Sequence, residues 1–99
     1  MNAKIQRLAE IDRVIHEPAR LMIVALLAAV KEADFQYLHT TTELTKGNLS
    51  VHLSRLEEAG YLEIDKTFRG KYPLTICRLT QAGRNALDDY RRVIKAALA

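Results

Sequence analysis

The sequence predicts a mainly α-helical domain with one small β-hairpin, in the order α-α-α-α-β-β-α, with room for a short extra strand before the third helix. Three observations predict it. Apolar residues recur at helical spacing up to residue 59, the pattern changes to period two at Tyr61, and a last helical stripe follows Thr80. The chain has 99 residues, 48% hydrophobic and 27% charged, with four glycines and two prolines, which describes one folded domain and excludes a large multidomain enzyme. A core of this size is small, so a second copy of the chain would usefully extend it.

The first element is expected over residues 2–16, where Ile5, Leu8, Ile11 and Ile15 recur at steps of three and four along one helical stripe. Pro18 suits the first turn of a second helix, where its missing N–H costs nothing. Leu21, Met22, Val24, Ala25, Leu27 and Ala28 make that helix apolar almost all round, so it belongs at the centre of the core. Asp34 can cap a short third helix carrying Phe35, Tyr37 and Leu38, and the β-branched run Thr40, Thr41, Thr42 is expected to end it in a tight turn. Thr45 can cap a fourth helix over residues 46–59 whose Leu49, Leu53 and Leu56 stack on one side, with Gly60 as its left-handed stop.

Two strands are expected over residues 61–66 and 74–79, joined by a basic loop over residues 68–73 that holds Arg69, Gly70, Lys71 and Pro73. Thr80 then caps a last helix reaching about residue 98, with Leu87, Tyr90, Ile94 and Leu98 on one stripe.

The composition also bounds the setting. A single cysteine, Cys77, can form neither an internal disulfide nor a multi-thiolate metal site, which points to a reduced, intracellular protein. The apolar run from Leu21 to Val30 is too short to span a membrane, and residues 2–7 are amphipathic rather than a signal-peptide core, so the cytoplasm is the expected location. Fifteen Lys and Arg against twelve Asp and Glu give a formal net charge of +3, which permits a polyanionic partner without demanding one.

Helices, a tight turn before the fourth of them, and a basic hairpin are the parts of a winged helix-turn-helix. The run from Leu44 through Asn48, Ser50, His52, Arg55 and Gly60 to Leu62 resembles the recognition helix and first wing strand of MarR/ArsR-type transcriptional regulators. The segments from Ile15 to Leu21 and from Arg78 to Arg84 resemble the same regulators, and the likeness spans roughly residues 14–87. This resemblance implies a DNA-binding transcription factor, usually a homodimer, with the fourth helix in the major groove and the wing, residues 66–73, on backbone or minor groove. The Cys-x-Cys signature of the metal-sensing ArsR proteins is missing here, and His16, His39, His52 and Cys77 have no local metal-ligand spacing, so no metal and no other cofactor is expected.

The residues support that reading on their own terms. Opposite the leucine stripe of the fourth helix stand Gly47, Val51 and Ser54, flanked by Asn48, Ser50 and Arg55, with Thr45 and Lys46 at the entry and His52 at the edge of the stripe, where it suits half-buried packing or a phosphate contact. Small and hydrogen-bonding groups of this kind can approach base edges: Asn48 fits adenine, the serines a base or phosphate, Val51 a thymine methyl. Over residues 65–78 four cations, Lys66, Arg69, Lys71 and Arg78, face the single carboxylate of Asp65, which suits Lys66, Arg69 and Lys71 to phosphate contacts. The two terminal helices, residues 2–16 and 80–98, carry stripes that can meet across a two-fold axis: Ile5, Leu8, Ile11, Ile15, Leu87, Tyr90, Ile94 and Leu98.

Nothing resembles a P-loop, a dinucleotide fingerprint, a nucleophile elbow or a catalytic carboxylate pair, so no catalytic residues and no enzyme are expected. Double-stranded DNA and a second copy of the chain are the expected partners, with no membrane among them. The sequence does not name an effector. The alternative is a winged-helix interaction or assembly module without specific DNA binding, which the acidic pair Glu57 and Glu58 would favour and the basic wing opposes.

Overall fold

The computed structural model describes residues 2–99, and Met1 lies outside it. The elements are α1 (Ala3–Gln6), a 3₁₀ turn (Arg7–Glu10), α2 (Pro18–Ala28), β1 (Ala33–Asp34), α3 (Phe35–Thr42), α4 (Lys46–Glu58), β2 (Leu62–Arg69), β3 (Tyr72–Leu79) and α5 (Gln81–Leu98). The strands form one antiparallel sheet in the order β1-β3-β2. This is a winged-helix fold, and the short strand before the third helix is present.

The core lies between the helices and one face of that sheet. Ile15, Ile23, Val24, Leu27, Leu38, Leu49, Leu56 and Cys77 are its fully buried members, joined by Leu53, Leu62, Leu79 and Leu87. Helix α2 runs through the middle, as its apolar composition requires.

The expected helix over residues 2–16 does not form as one piece. It stops at Glu10, where Ile11 turns extended (φ −60°, ψ 144°). Asp12 supplies the reason: its Oδ1 accepts from the N–H groups of Val14 at 2.8 Å and Ile15 at 3.2 Å, a local alternative to helical pairing. Its Oδ2 accepts a hydrogen bond from the Tyr61 hydroxyl. Glu17, before Pro18, is held extended as pre-proline residues are (φ −152°, ψ 128°). The turn that results pulls Ile15 into the chain's own core, so Ile15 is not a dimer-interface residue.

The threonine run also behaves differently from its propensity. Helix α3 continues through Thr42, whose buried hydroxyl donates to the Leu38 carbonyl at 2.7 Å and so stays paired inside the helix. The turn falls instead at Glu43, in left-handed conformation (φ 60°).

The hairpin is longer than expected. Register pairs Phe68 with Pro73 and Arg69 with Tyr72, leaving only Gly70 and Lys71 as the connection. Gly70 has φ +62° and Lys71 does not share it, the pattern of a type II′ turn, which follows the strands' own twist. Because β1 pairs only with Ile76 and Cys77, residues 72–75 have an open edge, where Pro73 breaks no ladder.

Helix α5 docks by its first turn. Thr80 Oγ1 accepts from Gly83 N–H at 3.0 Å and donates to the Gly60 carbonyl at 2.6 Å. A Cβ at Gly83 would meet the Tyr61 carbonyl and the Leu79 side chain, so only glycine lets the helix sit this close. From there its 18 residues extend about 27 Å, and they help to give the molecule its 60 × 25 × 21 Å shape.

Candidate nucleic-acid interface

The turn between α3 and α4 fixes how α4 leaves the body. His39 donates through Nδ1 to the Leu44 carbonyl at 2.8 Å, and Leu44 N–H reaches Thr42 Oγ1 at 3.3 Å. Thr45 then caps α4, its Oγ1 accepting from Asn48 N–H at 3.1 Å. A capping threonine still has its own O–H to donate, so Thr45 remains able to bind an anion at the helix start. The far end closes with Gly60 (φ +80°), where Tyr61 N–H bonds Leu56 O at 3.0 Å and Gly60 N–H bonds Glu57 O at 2.9 Å.

Leu49, Leu53 and Leu56 face inward, so the opposite face of α4 is solvent-exposed over Lys46, Gly47, Asn48, Ser50, Val51, Ser54 and Arg55. Val51 is 56% exposed in the middle of that face. Around Gly47 a Cβ would meet nothing, and the residue has no left-handed φ that needs glycine. Its glycine therefore serves no purpose inside the chain, whereas an approaching ligand would gain the space. Lys46 and Arg55 form no ion pair among the described residues.

His52 is placed differently from its neighbours. It is half-buried, with Nδ1 3.2 Å from Arg20 Nη1 and 3.6 Å from Glu17 Oε2. Arg20 also donates to the carbonyls of Val14 at 2.7 Å and Arg13 at 3.2 Å, and Glu17 caps α2 through Ala19 and Arg20 N–H. Burial would raise the Glu17 carboxyl, but those two backbone donors and the charges of His52 and Arg20 hold it below its ordinary value. The side chain of His52 thus braces α4 against α2, the half-buried packing its place at the edge of the stripe suits and a different role from the phosphate contact.

The wing separates its cations by strand register. Successive strand residues point to opposite faces, so Lys66 and Phe68 share a face with Leu62 and Ile64, while Arg69 and Tyr72 lie on the other. Lys71 stands in the turn. Lys66, Arg69 and Lys71 make no ion pair among the described residues. Arg78 is different: it pairs with Glu32, Glu63 and Asp65, and the hydrogen bond it donates to Asp65, then the one it donates to Glu32, raises its pKa further. The free positive charge of the hairpin therefore gathers at its tip.

Of the residues expected at a two-fold interface, Leu87 joins Ile15 in the chain's own core, and this too corrects the expectation. Tyr90 is partly covered and its hydroxyl lies 2.9 Å from His16 Nδ1. Ile5 and Leu98 are exposed, Leu98 by 70%, and Leu8, Ile11 and Ile94 are half-buried. Cys77 is buried beneath the sheet, where burial and then the charges of Glu57 and Asp34 push its thiol up to about 11, so it acts as a small apolar residue.

Sequence reasoning passed over the brace formed by Glu17, Arg20 and His52. The signal was an acidic residue directly before a helix-opening proline, with an arginine within the first turn. It also read Phe68 and Tyr72 only as loop, although they are 68% and 78% exposed on paired strands. No helix among the described residues is long and apolar enough to cross a membrane.

Comparison with known proteins places this geometry in a lineage. Residues 19–98 match the family model of a winged helix DNA-binding domain. The chain is 36% identical over 78 residues to an uncharacterized protein of Methanocaldococcus jannaschii, spanning 79% of this chain and 85% of that one. It is also similar to the solved structure of a transcriptional regulator homologue protein from Pyrococcus horikoshii OT3, with a TM-score of 0.88, 27% identity and 94% of each chain covered. That model covers most of the chain, including the helix capped by Thr45 and the cationic hairpin, and the chain belongs to the winged helix DNA-binding domain family.

Proposed function

We propose that the protein is a sequence-specific, double-stranded DNA-binding transcriptional regulator that acts in the cytoplasm as a homodimer, and that it is not an enzyme. The observation that carries the reading is the outer face of α4: its polar side chains are exposed, and its glycine has open space beside it. In a major groove that face brings Asn48, Ser50 and Ser54 to base edges, Val51 to thymine methyls, and Lys46, Arg55 and Thr45 to phosphates. The wing tip adds Lys66, Arg69 and Lys71 to the flanking backbone. Two such units bound about 34–36 Å apart would read a two-fold site. The half-buried Ile94 and the exposed Leu98 on the projecting end of α5, with Ile5 and Leu8 of the N-terminal segment, support the two-fold pairing.

The test is binding of the purified chain to duplexes selected from a random pool, over a salt series, with unselected duplex as competitor and the mass of the complex determined. Saturable binding that survives the competitor, by two copies per site, is the expected result. Selected and random duplex binding alike would end the specific-regulator reading and favour an assembly module.

A further inference from the structure

We propose that Phe68 is a minor-groove wedge that kinks the DNA beside each site read by α4; the proposal rests on the DNA-binding reading given above. Phe68 is 68% exposed near the end of β2, and no aromatic ring contact holds it among the described residues. An exposed phenyl group costs solubility and does nothing for this chain's own core. Its surroundings choose the partner. Between Lys66 and Pro73 there is no carboxylate, and Lys66, Arg69 and Lys71 are all without an ion pair among the described residues, so the tip offers an apolar ring next to uncompensated positive charge on its own face, in the turn and on the opposite face. A polyanion with an apolar interior, the stacked bases of a duplex, complements both properties.

Register sets the direction. Phe68 pairs with Pro73, and the same face of the sheet continues through Lys66 and Thr75 to Ile64 and Cys77 and then to Leu62 and Leu79, which pack into the helical core with the leucines of α4. Phe68 therefore leaves the hairpin on the face that carries these core residues, beyond the end of the core. Tyr72 leaves on the other side, where it borders a groove of about 690 Å³ with Tyr37 and Thr40 of α3. The mount is stiff: a two-residue turn with Gly70 at φ +62° closes the ribbon, and Pro73 stands across from the ring. Little conformational freedom is lost when such a tip inserts.

Apolar wedges of this kind open a base step and kink the duplex by roughly 20–90°. The steps that open most readily are pyrimidine–purine steps, TA and CA/TG, so the wedge would impose a sequence preference at a position that α4 does not touch. The cations around it fix the backbone on either side, and their contribution to the salt dependence is separate from that of the ring.

The experiment uses the intact chain and a duplex selected from a random pool by the wild-type protein, carrying a donor and an acceptor dye at its two ends. Wild type is expected to raise transfer between the dyes on binding. Phe68→Ala is expected to abolish that rise, to weaken binding by about tenfold, and to leave the slope of log affinity against log salt unchanged. Tyr72→Ala, which removes a still more exposed ring on the opposite face, should keep the rise. If Phe68→Ala bends the duplex as wild type does, or if wild type binds without bending it, the wedge is overturned while the DNA-binding reading stands. If wild type binds no duplex at all, both fall.

Discussion

Gly47 shows most sharply how one residue can be fitted to a partner rather than to its own chain. A glycine within the first turn of a helix costs roughly 0.5–1 kcal/mol relative to alanine, and here a Cβ would meet nothing and no left-handed φ requires its absence. Gly47→Ala is therefore expected to raise the stability of the free protein by about that amount, seen as a higher midpoint in thermal unfolding, while weakening binding to a selected duplex. A stabilised variant with unchanged DNA affinity would show that α4 does not come close to its ligand at this residue. Val51, the serines and Asn48 were legible from the sequence because an amphipathic wheel with three leucines dictates which residues lie opposite. The half-buried setting of His52 was legible from its place at the edge of the leucine stripe, but its partners were not, because Arg20 and Glu17 lie 32 and 35 positions away in the chain and no local period reports such a contact.

At the scale of elements, α4 was readable at both ends, since Thr45 and Gly60 each act through their own backbone neighbourhood. The N-terminal segment was not. Its isoleucines and leucine keep helical spacing, yet Asp12 finds three partners in the backbone and in Tyr61 that a continuous helix would deny it. Tertiary pairing overrode the period. The hairpin was found but drawn short, because Phe68, Arg69, Tyr72 and Pro73 lie beyond the core and so carry no inside–outside alternation. The contact of α4 with α2 has its own pH signature. Glu17 is held below its ordinary range in the folded chain, so it adds stability wherever the unfolded carboxyl is also ionised, and that contribution disappears as acid protonates it through its folded pKa. Wild type is thus expected to exceed Glu17→Gln in stability at neutral pH, with the gap closing as pH falls below the ordinary carboxyl range and through the lowered folded pKa of Glu17. Denaturant midpoints of both proteins across that interval check it, and a gap of constant size would remove Glu17 from the brace.

The whole molecule is elongated because α5 outruns the core it is docked to. Its end carries Leu98 in water, and Ile5 is exposed on the N-terminal segment that packs along the same helix. Leu98→Asp places a charge on that stripe without touching the core, so it is expected to leave the circular dichroism spectrum intact while reducing the mass in solution to one chain and lowering DNA affinity together with it. A variant that keeps the wild-type mass would mean the two-fold contact lies elsewhere. The central claim concerns a division of labour across the molecule, with α4 choosing the sequence and the wing holding the backbone. Its most direct test is the affinity of wild type, Asn48→Ala and Arg69→Ala for a selected and a random duplex over a salt series. Asn48→Ala is expected to lose on the order of 1–3 kcal/mol on the selected duplex alone with its salt slope intact, whereas Arg69→Ala weakens both duplexes alike and lowers the slope by about one. If the two variants weaken both duplexes equally and with the same change of slope, the groove does not read sequence through α4, and the account is contradicted.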